Sequence, residues 1–402
     1  MRERTRVLFI AEAVTLAHLA RPLVLASHLD TKRYQITLAC DQRYQLILKK
    51  PPFELVSIYS LPSKQFLAAL ARGSPVYDLA TLKRYVDDDL ALIDRIKPDI
   101  VVGDFRLSLS VSARLRRVLY LSITNAYWSP YARFPYPVPV LPFVRWTGPR
   151  LATALFRLAR PFAFALHSLP LNRLRRSYGL PSLGLDLRSV YTEADYTLYA
   201  DVPELIPTHD LPDNHRYLGP ILWSPPMSLP TWWDKLPDDK PLIYLTLGSS
   251  GANELLPAIV RACADLPVTL MVAGAGQEPA AGLAANIYWA DYLPGIEAAA
   301  RASLVICNGG SPTSHQALAA GVPVLGIASN LDQFLNMQAI VSAGAGRLLR
   351  QDSFNAEVLR ADISALLDDP AYRLGACRVA TWFSHYPAAQ RFSQVLEEIR
   401  PD

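Results

Sequence analysis

The chain alternates short apolar runs with longer segments in which apolar residues recur at helical spacing. In the first half the apolar runs fall at residues 7–10, 36–39, 55–58, 100–102 and 118–123, and helical patterns at 19–29 and 79–96. In the second half the runs fall at 242–247, 268–272, 287–289, 304–307, 324–327 and 346–349, and helical patterns at 255–264, 313–320, 334–341 and 356–367. Such alternation is typical of parallel sheets with crossover helices. The pattern therefore predicts an α/β protein with two doubly wound, Rossmann-like halves.

Two proline-rich segments interrupt this alternation. Residues 220–240 are rich in proline and tryptophan, and because proline disrupts helices and central strands, they are predicted to form a linker whose tryptophans pack against a domain. Residues 129–150 follow the fifth strand, where a loop would face a ligand. The predicted organisation is a first domain at 1–219, the linker at 220–240, a second domain at 241–380, and a C-terminal helix at 381–402 that returns to the first domain.

Composition narrows the class of protein further. Apolar residues make up 51% of the chain and charged residues 19%, as in a globular protein with sizeable cores. The net charge of +4 is too small and too diffuse to indicate a nucleic-acid partner. The cysteines lie far apart without a CxxC pair, which argues against a disulfide framework or a zinc site and favours the reducing cytoplasm.

Two apolar stretches resemble targeting or membrane segments at first sight. The N-terminus begins like a signal peptide, but charged residues interrupt it and no small-residue cleavage site follows, so a buried strand is expected. Residues 151–166 contain Arg157, Arg160 and Pro161 and cannot supply the about 20 apolar residues of a membrane span. The wider segment 151–176 is predicted to be helical. It is either a basic amphipathic surface that touches anionic membranes or, as we favour, an ordinary helix pair with its arginines in water.

The most informative local pattern is a glycine turn between a strand and a helix. Residues 305–325 read VICNGGSPTSHQALAAGVPVL, in which an apolar strand ends before a tight turn and Ser311 is predicted to be the N-cap. Glycines allow a ligand to approach the backbone, and the first turn of a helix attracts anions. The turn therefore indicates a phosphate site, although a Ser-Pro helix cap without a ligand is an equally good interpretation of the turn alone.

The neighbouring motifs extend this pattern into a family resemblance. With NIYWADYLPG at 286–295 and SNLDQFLN at 329–336, the segment resembles the donor signature of UDP-glycosyltransferases and bacterial natural-product glycosyltransferases. LTLGSS at 245–250 and GAG at 344–346 resemble further parts of the family sequence, and the resemblance extends over nearly the whole chain. It implies the inverting, metal-independent GT-B architecture, with two Rossmann-like domains facing across a cleft. The donor would bind the C-terminal domain and the acceptor the N-terminal domain.

The resemblance assigns donor-site roles residue by residue. Tyr292 and Leu293 would hold the base, Gln316 would meet the ribose, and Asp332 and Gln333 would bind sugar hydroxyls. The residues implied to hold the diphosphate are Gly248, Ser249, Asn308, Gly310, Ser311 and Thr313.

Three donor-site positions depart from the family pattern. Asn308 stands where His is usual, Pro312 where a second phosphate-binding Gly is usual, and Gln316 where many members have a Glu that binds both ribose hydroxyls. An amide offers one acceptor and one donor group, and its neutral hydrogen bonds are weaker than those of a carboxylate. The sequence therefore favours a deoxythymidine diphosphate (dTDP) sugar and leaves a UDP-sugar open. No cofactor beyond this co-substrate is expected.

Two residues of the first half resemble the catalytic machinery of the family. AHLARP at 17–22 resembles the Gly-His-x-x-Pro loop, with Ala17 in place of Gly and the proline one position late. Its His18 would be the general base, and Asp104, which follows the strand at 100–102, would orient it, as in a Ser-His-Asp triad whose Ser is the acceptor hydroxyl. The alternative is a helix N-terminal His18 and an Asp104 that caps a strand end.

Other functions remain as alternatives at this stage. A catalytically silent nucleotide-sugar-binding subunit is consistent with the donor-site departures, whereas a sugar-nucleotide epimerase would need a carboxylate cluster that the sequence does not show. The aspartates at 87–89 are interpreted as a solvated stretch of a helix, because adjacent residues cannot share one face. The aromatic segment at 129–146 favours a flat, small or lipophilic acceptor.

Overall fold

The computed structural model describes residues 4–44, 51–142, 144–248, 251–279 and 282–399. The chain divides into two compact units. The first contains Met1–Phe134, Ala154–Ile221 and Tyr386–Asp402, and the second contains Pro135–Thr153 and Leu222–His385. Part of the irregular segment that follows the fifth strand thus belongs to the second unit, and the C-terminal helix belongs to the first.

The first unit is built on a parallel seven-stranded sheet with strand order β3-β2-β1-β4-β5-β6-β7. Its strands are β1 (Thr5–Ala11), β2 (Tyr34–Cys40), β3 (Glu54–Ser57), β4 (Ile100–Asp104), β5 (Leu119–Thr124), β6 (Tyr196–Tyr199) and β7 (His215–Tyr217). The sequence predicts the first five and misses β6 and β7. The chain winds outward from β1 in one direction and then from β4 in the other, so the crossover between β1 and β4 is where a doubly wound sheet binds ligands.

Helices cover both faces of this sheet. They are α1 (Leu16–Ser27), α2 (Ser63–Arg72), α3 (Leu79–Ile96), α4 (Leu109–Arg116), α7 (Leu187–Tyr191) and α14 (Ala388–Glu398), together with most of α6 (Pro149–Ser177). Apolar residues of β1 and β4 are almost fully buried. The rings of Phe9 and Phe392 lie 5.9 Å apart, which attaches α14 to the core at β1.

The second unit repeats the arrangement with a parallel six-stranded sheet in the order β10-β9-β8-β11-β12-β13. Its strands are β8 (Leu242–Thr246), β9 (Thr269–Ala273), β10 (Ile287–Ala290), β11 (Leu304–Cys307), β12 (Val324–Ala328) and β13 (Gly346–Arg350). Its helices are α5 (Val144–Thr147), α8 (Leu256–Ala264), α9 (Gly295–Arg301), α10 (Ser311–Ala319), α11 (Leu331–Ser342), α12 (Ala356–Asp368) and α13 (Pro370–Ser384). Here the crossover falls between β8 and β11.

The proline-rich linker packs against the second unit through its tryptophans. The indole nitrogen of Trp232 donates to the carbonyl of Trp289 at 3.0 Å, and Trp233 is buried. Within the described part of the chain, none of the helices combines the length and the apolar character that crossing a bilayer requires.

Candidate active site

His18 and Asp104 come together at the crossover of the first sheet. His18 lies in the first turn of α1, directly after β1, and Asp104 is the last residue of the neighbouring β4. The Nδ1 atom of His18 lies 2.7 Å from Oδ1 of Asp104, whose carboxylate is fully buried. Nη2 of Arg21 also lies 3.0 Å from Nδ1. A carboxylate only accepts, so the contact with Asp104 favours the tautomer with the proton on Nδ1 and the lone pair on Nε2. This is the arrangement of a general base with an orienting carboxylate.

Arg21, which the sequence analysis did not assign, completes the setting of Asp104. It lies one helical turn after His18, and its Nε and Nη2 atoms donate to the two carboxylate oxygens of Asp104, each at 2.7 Å. Its Nη1 donates to Oδ1 of Asn125 at 2.9 Å. This two-point contact compensates the buried negative charge and fixes the plane of the carboxylate. The only sequence signal was an arginine on the inward side of an apolar helix.

Phe105 supports the other side of the imidazole. Its ring stacks on that of His18, with centroids 4.9 Å apart and planes inclined by 14°. Its backbone has φ 57°, a left-handed conformation that costs a non-glycine residue about 1–3 kcal/mol and is concentrated at functional sites. The strained backbone thus presents the ring to the imidazole.

An apolar, partly aromatic pocket opens beside this stack. It lies within the first unit and is lined by Val76, Tyr77, Leu82, Phe105, Leu107, His167, Pro170, Leu171, Leu187 and Tyr191. Burial lowers the pKa of His167, so this residue is neutral at physiological pH and adds no charge to the wall. Its walls are mainly apolar and aromatic side chains, and Phe105 is the wall that adjoins the imidazole of His18.

A buried ionic cluster corrects the interpretation of the aspartates at 87–89. Asp87 is exposed, but Asp89 is fully buried and accepts from Nε of Arg106 at 3.0 Å. The Nη1 atom of Arg106 donates to Oε2 of Glu12, also at 3.0 Å. Burial raises the pKa of both carboxyl groups, and the guanidinium between them opposes this rise. Since Glu12 follows β1 and Arg106 follows β4, the cluster ties together the loops between β1 and the helix of His18 and directly after Asp104.

The predicted phosphate turn lies at the crossover of the second sheet. Gly248 follows β8, and Asn308 and Gly310 follow β11. The Oδ1 atom of Asn308 accepts from the backbone amide of Gly310 at 3.0 Å. A Cβ on Gly248 would lie 3.7 Å from the side-chain Nδ2 atom of Asn308. Ser249 lies outside the described residues.

The start of α10 differs by one residue from the prediction. Gly310 is the N-cap, so Ser311 is the first helical residue and not the cap, and Pro312 follows it within the first turn. The prediction failed because the extended backbone of Gly310 already satisfies the N-cap geometry without a side chain. The backbone amides of Ser311 and Thr313 therefore belong to the first turn of α10. Such amides point out of the helix start, where anions bind.

Asn336 braces this turn and was not identified from the sequence. It is fully buried on α11, and its Nδ2 atom donates to the carbonyl of Gly309 at 2.8 Å and to Oγ of Ser314 at 2.9 Å. Gly309 has φ 78°, and a Cβ there would approach Cγ of Met337 to 2.7 Å, so only glycine fits. The one sequence signal was an asparagine within an apolar helix.

The remaining donor-site residues have mixed contacts. Asp332 lies in the first turn of α11. Gln333 forms a capping box with the N-cap Asn330, whose amide donates to Oε1 of Gln333 at 3.3 Å, and the amide of Ser329 donates to the same oxygen at 2.8 Å. Gln333 is thus fixed beside the turn, and its carbonyl would lie 3.6 Å from a Cβ on Gly309. Tyr292 is 53% exposed after β10, and Leu293 is buried.

Gln316 makes a contact that the family resemblance does not imply. Its Nε2 atom donates to the carbonyl of Trp223 in the linker at 2.6 Å. Its Oε1 atom lies against Gly295, where an added Cβ would approach it to 2.5 Å. The side chain is buried and holds the linker, and its role at the ribose stays a prediction.

Comparison with known proteins places these sites in context. Residues 253–399 match the family model "Erythromycin biosynthesis protein CIII-like, C-terminal domain". The chain is 52% identical to a PGL/p-HBAD biosynthesis glycosyltransferase of Mycobacterium tuberculosis (strain ATCC 25177 / H37Ra), covering 98% of this chain and 92% of the relative. It is 51% identical to a PGL/p-HBAD biosynthesis rhamnosyltransferase of Mycobacterium bovis (strain BCG / Pasteur 1173P2), covering 94% and 84%. A further relative in that strain, 53% identical over 64% of this chain and 71% of its own length, is an inactive PGL/p-HBAD biosynthesis glycosyltransferase.

Solved structures share the fold at low sequence identity. Spinosyn forosaminyltransferase SpnP superposes with a TM-score of 0.73 at 19% identity, covering 99% of each chain. Spinosyn rhamnosyltransferase SpnG complexed with thymidine diphosphate gives 0.69 at 18% identity, covering 98% of this chain and 100% of that one. These similarities show the GT-B fold.

Proposed function

Because this chain belongs to the glycosyltransferase family of the mycobacterial PGL/p-HBAD enzymes and has the GT-B fold, we propose that it transfers a deoxysugar from a dTDP-sugar to the hydroxyl of an aromatic, lipophilic acceptor. A relative at 51% identity is a rhamnosyltransferase, and a structural neighbour binds thymidine diphosphate. The aromatic pocket beside His18 supports the acceptor class. The observation that carries the proposal is the contact of His18 with buried Asp104 at the crossover of β1 and β4.

In the proposed reaction, Nε2 of His18 takes the proton of the acceptor hydroxyl. A phenol has a pKa of about 10, so it needs a base to attack at neutral pH, and a neutral imidazole is suited to this. The acceptor oxygen bonds to the anomeric carbon as the bond from that carbon to the diphosphate oxygen breaks. The configuration inverts, and the nucleoside diphosphate leaves with the bonding electrons. Asp104 stabilises the imidazolium that forms.

The second unit would bind the donor without a metal ion. We expect the diphosphate to bind at the start of α10, where the amides of Ser311 and Thr313 and the positive end of the helix dipole would stabilise the negative charge that develops as it leaves. Asn336 holds the turn in place, so the donors are oriented before the ligand arrives. Tyr292, Asp332 and Gln333 keep the base and sugar roles that the resemblance implies.

A transfer assay with a matched histidine control tests the proposal. The protein is incubated with dTDP-rhamnose or UDP-glucose and with an ester that carries a free phenolic hydroxyl. The release of nucleoside diphosphate and the formation of the glycosylated product are measured. We expect turnover with the dTDP-sugar, unchanged by EDTA. His18→Ala should lose it, whereas His28→Ala, an exposed histidine directly after the same helix, should keep it.

The outcomes separate the proposal from its alternative. Transfer by His18→Ala within about threefold of wild type, a barrier change under about 1 kcal/mol, would contradict the mechanism. Nucleotide binding with neither transfer nor donor hydrolysis would identify a silent binding subunit, the alternative favoured by the donor-site departures. Activity that returns only on adding magnesium would contradict the metal-free donor site.

A further inference from the structure

Helix α6 carries a continuous apolar face that points away from the protein. Within the first unit, Leu155, Leu158, Phe162 and Leu166 are 48%, 75%, 79% and 50% exposed. Their spacing of three and four residues places them on one side of the helix. We call these four residues the α6 stripe. Single exposed apolar residues are common on protein surfaces, but four in line along a helix indicate a contact surface.

The opposite side of α6 already has its partners. Phe156, Phe164 and Leu171 are buried in the protein. The stripe is therefore not the core-facing side of the helix and stays exposed in the folded unit.

The charge of α6 indicates what the stripe contacts. The helix contains Arg150, Arg157, Arg160, Arg173, Arg175 and Arg176 and no aspartate or glutamate. Arg173 lies seven residues after Leu166 and Arg176 fourteen after Phe162, so both exposed arginines continue the face of the stripe. An apolar face extended by cations matches the surface of an anionic membrane, where apolar groups enter the interface and cations meet lipid phosphates.

We propose that the α6 stripe binds the surface of a membrane that contains anionic lipids, with α6 lying along the interface. A second copy of this chain is a poorer occupant, because α6 offers no carboxylate to pair with the arginines of a facing α6. The same helix contributes His167, Pro170 and Leu171 to the pocket beside His18. If the acceptor is lipophilic, as the proposed function holds, it dissolves in the membrane. Docking through α6 then brings one wall of the acceptor pocket close to that membrane.

Vesicle binding by stripe variants tests this inference. Purified protein is sedimented with phosphatidylcholine vesicles, with or without phosphatidylglycerol, at low and physiological salt. We expect binding to the anionic vesicles, and the double variant Leu158→Glu/Phe162→Glu should lower the partition coefficient at least about tenfold, which is about 1.4 kcal/mol. The matched control is Leu374→Glu, which changes a 69% exposed leucine on α13 and should bind like wild type.

A second pair of variants separates the apolar and the charged contributions. Arg173→Gln/Arg176→Gln should weaken binding to anionic vesicles, with a smaller effect at physiological salt, where charges are screened. Absence of wild-type binding to either vesicle, or equal binding by the Leu158→Glu/Phe162→Glu variant, would overturn the inference. A dimer that this variant dissociates, without vesicle binding, would assign the stripe to a second copy instead.

The failure of this inference is distinguishable from failure of the proposed function. With a water-soluble phenol acceptor, the Leu158→Glu/Phe162→Glu variant should turn over like wild type, since neither residue lines the pocket. With an acceptor embedded in anionic vesicles, its turnover should fall. An equal loss with both acceptors would show that the substitutions damage the unit itself and would contradict the assignment of the stripe to membrane docking.

Discussion

Replacement of Asp104 by Asn changes the candidate base without changing the shape of its partner. Asp104 is fully buried and accepts from Nδ1 of His18 and from two nitrogens of Arg21, all at 2.7 Å. In the carboxylate, Oδ1 accepts from both Nδ1 of His18 and Nη2 of Arg21, whereas Oδ2 accepts from Nε of Arg21. An asparagine keeps one acceptor oxygen, which can stay at the Oδ2 position against Nε of Arg21. With Arg21 retaining that oxygen, the asparagine NH2 group faces Nδ1. The proton then moves to Nε2, and the ring can no longer accept a proton from the acceptor hydroxyl.

Two separate costs follow from this exchange. The wrong tautomer and the lost stabilisation of the imidazolium should lower turnover by about 10⁴-fold, a barrier increase of about 5 kcal/mol. The side chain of Arg21 is 9% exposed, so its charge is left without a counter-charge in a buried site. Removing one member of a buried ion pair costs about 3–5 kcal/mol of unfolding free energy. The variant should therefore be slow and also less stable.

A double substitution separates these two costs. Arg21→Met/Asp104→Asn removes both charges and should recover much of the unfolding free energy while remaining inactive. Turnover is measured as nucleoside diphosphate release below the unfolding midpoint, and nucleotide affinity, a property of the second unit, should be unchanged. The control is Asp94→Asn, which replaces an exposed carboxylate. Like Asp104, Asp94 accepts from two nitrogens of one arginine, here Arg116. Because this ion pair is exposed to solvent, the variant should unfold close to the wild-type midpoint and keep turnover within about twofold.

The result that refutes this reasoning is specific. If folded Asp104→Asn protein keeps more than about one tenth of wild-type turnover, a barrier change below about 1.4 kcal/mol, His18 is not a base oriented by Asp104. The contact would then be structural, and the acceptor proton would leave by another route.

Three further predictions concern stability and donor choice. Arg106→Met should lower the unfolding free energy by about 3–5 kcal/mol at neutral pH, measured by urea unfolding, because two buried carboxylates lose their cation. Burial lowers the pKa of His215 to about 4, so folding should lose stability as pH falls from about 6.5 towards 4, where the unfolded chain binds the proton more readily. Because the ring is partly exposed, the effect should be about 1–2 kcal/mol, absent in His215→Phe; an equal pH dependence in both proteins would contradict it. Gln316→Glu sets a carboxylate against the carbonyl of Trp223, so it should lower the unfolding midpoint; UDP and dTDP titrations showing tighter binding of UDP alone would instead place residue 316 at the ribose.

The sequence predicts those features that depend on local pattern. Apolar runs separated by helices indicate parallel strands, and the ends of such strands meet at one edge of a sheet. The family resemblance paired His18 with Asp104, and their contact is consistent with this rule because both lie at that edge of the first sheet. The strands β6 and β7 were missed because four- and three-residue strands such as YTLY and HRY carry too little apolar pattern.

The sequence does not predict contacts that depend on tertiary packing. Arg21 reaches Asp104 across 83 positions, and Arg106 reaches Glu12 across 94, distances along the chain at which no spacing rule applies. The rule used for the aspartates at 87–89 was sound, since adjacent residues do point in different directions. One of the three can therefore face the core. Asp89 does so because the guanidinium of Arg106 pairs with its buried carboxylate.

The cluster of Glu12, Arg106 and Asp89 also has a consequence for local opening of the protein. A loop can move away from the fold only by leaving a buried charge without its partner, which makes small openings at this place rare. The amide of Glu12 donates to the carbonyl of Asp104 at 3.2 Å, and that of Ala13 to Oγ of Ser60 at 3.1 Å. These amides should exchange with deuterium only when the first unit unfolds as a whole. Substrate-binding loops are commonly among the fastest-exchanging parts of an enzyme. Here the two loops that follow β1 and β4, next to the candidate base and its aspartate, should belong with the slowest.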